Sequence, residues 1–355
     1  MAKILIKNGK IWNGEKFFYG DILTNDKHIE KIDTSINENA DYIYDATGKL
    51  VSAGLVDIHV HLKGISCDEY GIQAEMSSLP FGVTAVNDAG GGLGNRALLD
   101  SFAVKNTVFV GAEINNNRAN FSNTEKYLAK YGDKAIGIKV YFDRTNPGVF
   151  DITPLKQVCE YAKSKKLKVM VHCSNSPTSM TEIIETLSSG DILTHAFHGG
   201  ENSCLYNDFE AFRIAKDKGV IIDAGFAGYV HTDFKNFETS VEAGFLPATI
   251  STDITCYSAY KRGGRYGMTM CMNIAKSVGI NEKDIFRAVT STPAKVLEKE
   301  NEWGSIKVGR IADIAVFDYT DEGFDLTDNA GNSLKSDMGY RCILTVCDGQ
   351  IVFKN

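Results

Sequence analysis

No apolar run in the 355-residue sequence approaches the roughly 18–20 residues needed to cross a bilayer, so no membrane span is expected. Close cysteine pairs are also missing. The eight cysteines, Cys67, Cys159, Cys173, Cys204, Cys256, Cys271, Cys342 and Cys347, are scattered without a CxxC. A chain of this size does not need disulfide staples, and Met1-Ala2-Lys3-Ile4 opens into a strand pattern rather than a signal peptide. Reduced thiols and a cytoplasmic location are therefore expected. Basic charge is short: 38 Lys and Arg stand against 45 Asp and Glu, and the net charge of −7 argues against a nucleic-acid partner. The basic run Lys163–Lys168 fits the solvated end of a helix. No HExxH, GxSxG or P-loop pattern occurs, which removes zincin, serine-hydrolase and nucleotide-hydrolase readings. Gly92-Leu93-Gly94-Asn95-Arg96-Ala97 mimics a dinucleotide fingerprint only weakly, and a glycine-rich loop at a strand end explains it as well.

What is present has a clear organisation. Both ends alternate apolar and polar residues between turn signals: Ile4-Leu5-Ile6 and Asp21-Ile22-Leu23 near the start, Ile311 to Asp318 and Ile343 to Phe353 near the end. Two similar β-rich ends around a different middle suggest one small β-sandwich module built from residues 1–52 and 304–355. The middle, 53–303, alternates short apolar strands with helical stretches. Strands are predicted at Leu55–Ile58, Val83–Asp88, Thr107–Ala112, Ala135–Tyr141, Lys168–His172, Asp191–His195, Val220–Ala224 and Ala248–Ser251. Eight strands separated by helices fit a (β/α)8 TIM barrel, an α/β fold whose chemistry sits at the C-terminal strand ends.

Histidines and acids fall at those ends. His59 and His61 close the first strand two residues apart, so their imidazoles share one side and form half of a metal site. The fourth strand carries Lys139, the fifth ends in His172, the sixth in His195, and the eighth leads into Asp253. Five independent strand ends thus aim chemistry at one mouth.

With these residues in view, the chain resembles the amidohydrolase superfamily of metal-dependent hydrolases. The resemblance is carried by Gly54–His61, Ile138-Lys139-Val140, His172, His195, Asp253, Thr292–Lys295 and Gly304–Asp313. It implies two divalent metal ions, with zinc suited to the nitrogen and oxygen donors. By the same resemblance, His59, His61 and Asp253 would bind the first ion and His172 with His195 the second. Lys139 would bridge them as a carbamate formed with carbon dioxide; an ammonium cannot ligate a cation, whereas a carbamate offers two anionic oxygens. A metal-bridging hydroxide would be the nucleophile and Asp253 the acid/base.

The segments Phe81–Gly90 and Asp191–Gly199 look most like the dihydroorotase-like amidohydrolase/deacetylase branch. That branch implies cleavage of acyl groups from small N- or O-acylated carboxylates, with a cyclic amidase of dihydroorotase or hydantoinase type as the alternative and a non-catalytic binding protein as a remote one. A small-molecule substrate and self-association into a homo-oligomer are expected. Candidate substrate contacts are His198, just past a proposed ligand; Lys63, continuing the period-two face of His61; and Arg265, in the basic loop Lys261-Arg262-Gly263-Gly264-Arg265. Lysine at 63 lacks the bidentate fork with which dihydroorotases hold a carboxylate. His231 falls off the strand-end pattern, on a possible lid loop, and His28 belongs to the module surface.

Overall fold

The computed structural model describes residues 2–260 and 263–355. Five strands open the chain: β1 (Lys3–Trp12), β2 (Phe17–Asn25), β3 (His28–Asp33), β4 (Tyr42–Asp45) and β5 (Leu50–Ala53). Next come β6 (Leu55–Val60), β7 (Val83–Gly91) and β8 (Lys105–Gly111), then the small hairpin β9 (Glu113–Asn115) and β10 (Arg118–Asn120). The middle continues with β11 (Ala135–Tyr141), β12 (Lys168–His172), β13 (Ile192–Thr194) and β14 (Ile221–Ile222). The chain closes with β15 (Ile314–Thr320), β16 (Phe324–Thr327), β17 (Ser333–Ser336), β18 (Gly339–Cys347) and β19 (Gln350–Lys354).

Two sheets follow from this order. The barrel sheet runs β14-β13-β12-β11-β8-β7-β6, every neighbouring pair parallel. Its strands are largely buried because both faces are covered, as in β6, where every residue, Asp57 and His59 included, is buried. The second sheet runs β19-β18-β15-β5-β1-β2-β3, with β4 beside β1. It joins strands from both termini through the antiparallel pair β5–β15. Its own core is aliphatic, drawn from residues such as Ile6, Ile22, Val51, Val316 and Leu344. The sheet docks on the barrel through Trp12, whose indole Nε1 donates to Thr290 Oγ1 at 3.0 Å.

The eighth predicted strand, Ala248–Ser251, does not form as a strand. The chain there makes single parallel bridges, Asp223 with Thr249 and Val60 with Ile254. Two buried carboxylates do much of the stitching across this seam. Asp223 accepts from Thr194, Thr249 and Ser251 at 2.8, 2.7 and 2.6 Å, and Asp57 accepts from the Thr252 hydroxyl at 2.6 Å. Side chains replace part of the backbone ladder, so regular pairing is lost although the barrel still closes.

Around the barrel, helices start where a side chain can take an orphan backbone N–H. Asn95, Ser179, Asp233 and Asn281 each cap one, their oxygens accepting from the backbone three residues on. Among the described residues, no helix is long and apolar enough to cross a membrane.

Candidate metal centre

Six side chains from the sequence reading meet at the C-terminal mouth of the barrel: His59, His61, Lys139, His172, His195 and Asp253 all line one cavity of about 620 Å³. Asp253 stands at its centre. Its Oδ1 lies 2.9 Å from His61 Nε2 and 3.2 Å from His59 Nε2, and its Oδ2 lies 3.7 Å from His195 Nε2. The backbone N–H of Asp253 donates to the His59 carbonyl at 2.7 Å, which ties the eighth strand position to the end of β6. Lys139 Nζ, on β11, reaches His59 Nε2 at 2.8 Å.

The tautomers follow from the partners of each ring. His195 Nδ1 faces the Gly225 carbonyl at 2.6 Å and must donate to it, so Nε2 carries a lone pair. That Nε2 is buried without a hydrogen-bond partner. A buried, unpaired imidazole lone pair aimed at a carboxylate and two other rings fits a cation. His59 Nδ1 lies 3.1 Å from Thr194 Oγ1, and Thr194 passes its own proton to Asp223. His59 is thereby held with Nε2 toward the centre, the outer partners orienting the ring. His172 Nε2 contacts Ser174 Oγ at 2.7 Å and Asp143 Oδ2 at 3.3 Å, which leaves Nδ1 for the cluster.

Electrostatics agree with this arrangement. Burial pushes the imidazoles of His59 and His195 far below the usual histidine range and His172 down to about 4, so all three are neutral at pH 7. Burial also lowers Lys139 to about 8, against the pull of Asp253. That brings the neutral amine, the form that adds carbon dioxide, within about one pH unit of neutrality. Burial would raise Asp253, but attraction to His59 and His61 whenever either ring carries a proton, together with the His61 contact at 2.9 Å, outweighs it and moves the carboxyl below its usual range. Two of these residues, His195 and Asp253, sit at positive φ, 64° and 48°, a strained backbone that only a well-determined site retains.

Two groups of potential ligands result, His59-His61-Asp253 and His172-His195-His231, the donor atoms within each lying within 4.8 Å of one another. His231 is the residue that the strand-end pattern missed. Its Nδ1 lies 3.1 Å from Ser174 Oγ, and its ring centroid is 4.3 Å from that of His195. The only sequence signal was its place between a strand and the Asp233 cap of the next helix, in the loop after β14. Tyr141 was also overlooked as a lining residue, although it follows Lys139 at period two. A third group, Asp313-Cys347-Asp348, is already filled by the Lys105 ammonium, 2.8 Å from Asp313 and 2.6 Å from Asp348.

The three candidate substrate contacts are not brought to this cavity. Lys63 is exposed, its backbone tied to Ile72. His198 is buried beside the cavity, with Nδ1 accepting from the Gly200 N–H at 3.0 Å. Arg265 lines a separate groove between the barrel and the C-terminal strands. Lys261 and Arg262 lie outside the described residues. The loop Gly92-Leu93 turns its N–H groups onto the Ile65 carbonyl, so they are not presented to a ligand.

Residues 50–352 match the amidohydrolase family. The chain belongs to that family. A deacetylase from Enterococcus faecalis (strain ATCC 700802 / V583) is 30% identical over 374 residues, 98% of each chain. Among solved structures, a dihydroorotase superposes with a TM-score of 0.86 at 25% identity, and an adenine deaminase with 0.85 at 27%, each over 99% of both chains. Membership and the two ligand clusters together make this amidohydrolase a metal-dependent hydrolase acting on an amide or ester bond.

Proposed function

We propose that this amidohydrolase opens a small, uncharged cyclic amide by hydrolysis. His59, His61 and Asp253 would hold one divalent cation, zinc being suited to these donors, and His172 with His195 a second, with His231 beside it. Lys139, carboxylated at Nζ, would lie between them. When bound, such a pair supplies an acidified water and polarises the substrate carbonyl. Asp253 would accept the proton of the attacking water at its carboxylate and return it to the departing nitrogen. Its ionised state at neutral pH leaves it ready to act as base first.

The observation that carries the substrate choice is the lining. Among the described residues, the cavity walls beyond the proposed ligands are aromatic, small or hydroxylic, as in Tyr70, Tyr141, Ala112 and Thr255. With Lys63 and Arg265 elsewhere, no described cation other than Lys139 faces it. The free carboxylate of an acylated amino acid would be desolvated there without a partner, whereas a neutral ring would not. The likeness to a solved dihydroorotase over 99% of both chains supports ring-opening chemistry. The opposite choice, an open-chain deacylase, was the leading expectation from sequence, and the Enterococcus faecalis deacetylase keeps it as the second reading.

Zinc-loaded enzyme assayed with hydantoin, dihydrouracil, dihydroorotate and N-acetyl amino acids separates the two. The neutral rings should exceed the N-acetyl amino acids in kcat/KM by about 100-fold, the rate equivalent of ~3 kcal/mol for an unpaired charge. Preference for the acyl amino acids would reverse the assignment.

A further inference from the structure

We propose that the hairpin β16–β17 is a clasp that fixes His231 at the second histidine cluster, with Asp328 as its positioning residue. The loop that carries His231 is strained. Ala227, Gly228 and Tyr229 follow one another at φ 47°, 64° and 75°, a left-handed run that glycine tolerates but alanine and tyrosine do not favour. Such a run persists only where its surroundings over-determine it.

The restraints come from the hairpin. Asn329 Nδ2 donates to the Val230 carbonyl at 3.2 Å, and the Phe234 N–H donates to Asp328 Oδ2 at 2.8 Å. These two pins flank His231, leaving only residues 231–233 between them. Asp328 is itself 6% exposed and rigid, accepting also from the N–H groups of Ala330 and Asn332, at 2.9 Å each, and from Asn332 Nδ2 at 3.0 Å. Phe234 is the first residue of the helix Phe234–Glu242, so the carboxylate also meets the positive end of a helix dipole. On the barrel side, the Asp233 N–H donates to the Phe197 carbonyl at 3.0 Å. Held from both sides, His231 places its ring beside His172 and His195 with Nδ1 on Ser174. The terminal module thereby takes part in the metal centre, about a hundred residues of sequence away, without contributing a ligand.

The inference rests on the reading of the second cluster as a cation site, and the test keeps the two apart. Full-length protein stripped with a chelator is titrated with Co²⁺ and followed by its visible absorption. Wild type should take up two equivalents; uptake of fewer overturns the cation reading and the clasp with it. With two bound, Asp328→Ala should weaken the second equivalent about 10-fold or more and spare the first, an effect typical of outer partners of a metal site. Asp328→Asn, which can still accept from Phe234, should restore most of the loss. Asp328→Ala combined with His231→Ala should bind no more weakly than His231→Ala alone. Asn329→Ala, which removes only the Val230 pin, should weaken the same equivalent and serves if Asp328→Ala does not fold. Folded variants that bind both equivalents as wild type does, or losses that multiply in the double variant, would overturn the clasp.

Discussion

Thr194 shows how much of the centre is set by a residue that never faces it. Its hydroxyl has one proton, which goes to Asp223 at 2.8 Å, so it can only accept from His59 Nδ1. Removing the oxygen frees the ring to turn or change tautomer. Thr194→Val should therefore weaken cation binding by about 10- to 100-fold, while Thr194→Ser should not. Isothermal titration with Zn²⁺ measures this directly; equal affinity in the valine variant would show that the relay is incidental. At this scale the sequence was legible wherever a residue ended a regular strand. His59 and His61 were placed by period two alone, and His172 by the end of β12. His231 was not, because its position depends on three left-handed residues and on the bonds of Val230 to Asn329 and of Phe234 to Asp328, which span 99 and 94 residues of chain. Nothing local to the sequence encodes either.

Elements were legible in proportion to their regularity. β11 and β12 fall at the predicted residues because their hydrogen bonds are backbone ladders between buried apolar runs. The closing seam was not legible in detail, since Asp57 and Asp223 take over bonds that backbone groups make elsewhere. A buried aspartate surrounded by serine and threonine reads as loop in a pattern of apolar strands. The hairpin β16–β17 was also unforeseen: its strands have only four residues each, with no fully buried position. The mouth of the barrel is legible without the seam, because His59, His61, Lys139, His172 and His195 lie on or directly after regular parallel strands; only Asp253 lacks such a strand and is placed by its backbone bond to His59.

The molecule as a whole carries a pH liability that follows from its buried histidines. Burial lowers both His172 and His198 to about 4, below the ordinary value of 6.5. An unfolded chain therefore binds protons at these positions between pH 6.5 and 4 that the folded chain does not. Stability from this source is full above pH 6.5 and is lost as pH falls toward 4. Buried Asp57, Asp88 and Asp223, raised to about 7, 6 and 6, act with the opposite sign over the same interval, so the test is a difference: between pH 6.5 and 4 the Tm of metal-free wild type should fall further than that of His198→Asn, and parallel calorimetric profiles would contradict the neutral assignment of His198. At the same scale, the proposed two-cation centre, with Lys139 between the ions, draws on the whole barrel mouth. It is tested most directly by elemental analysis of wild type and Lys139→Ala after saturation with Zn²⁺ in bicarbonate and gel filtration. Wild type should retain two zinc ions per chain and the variant one or fewer. Two ions retained in Lys139→Ala, or fewer than two in wild type, would contradict it.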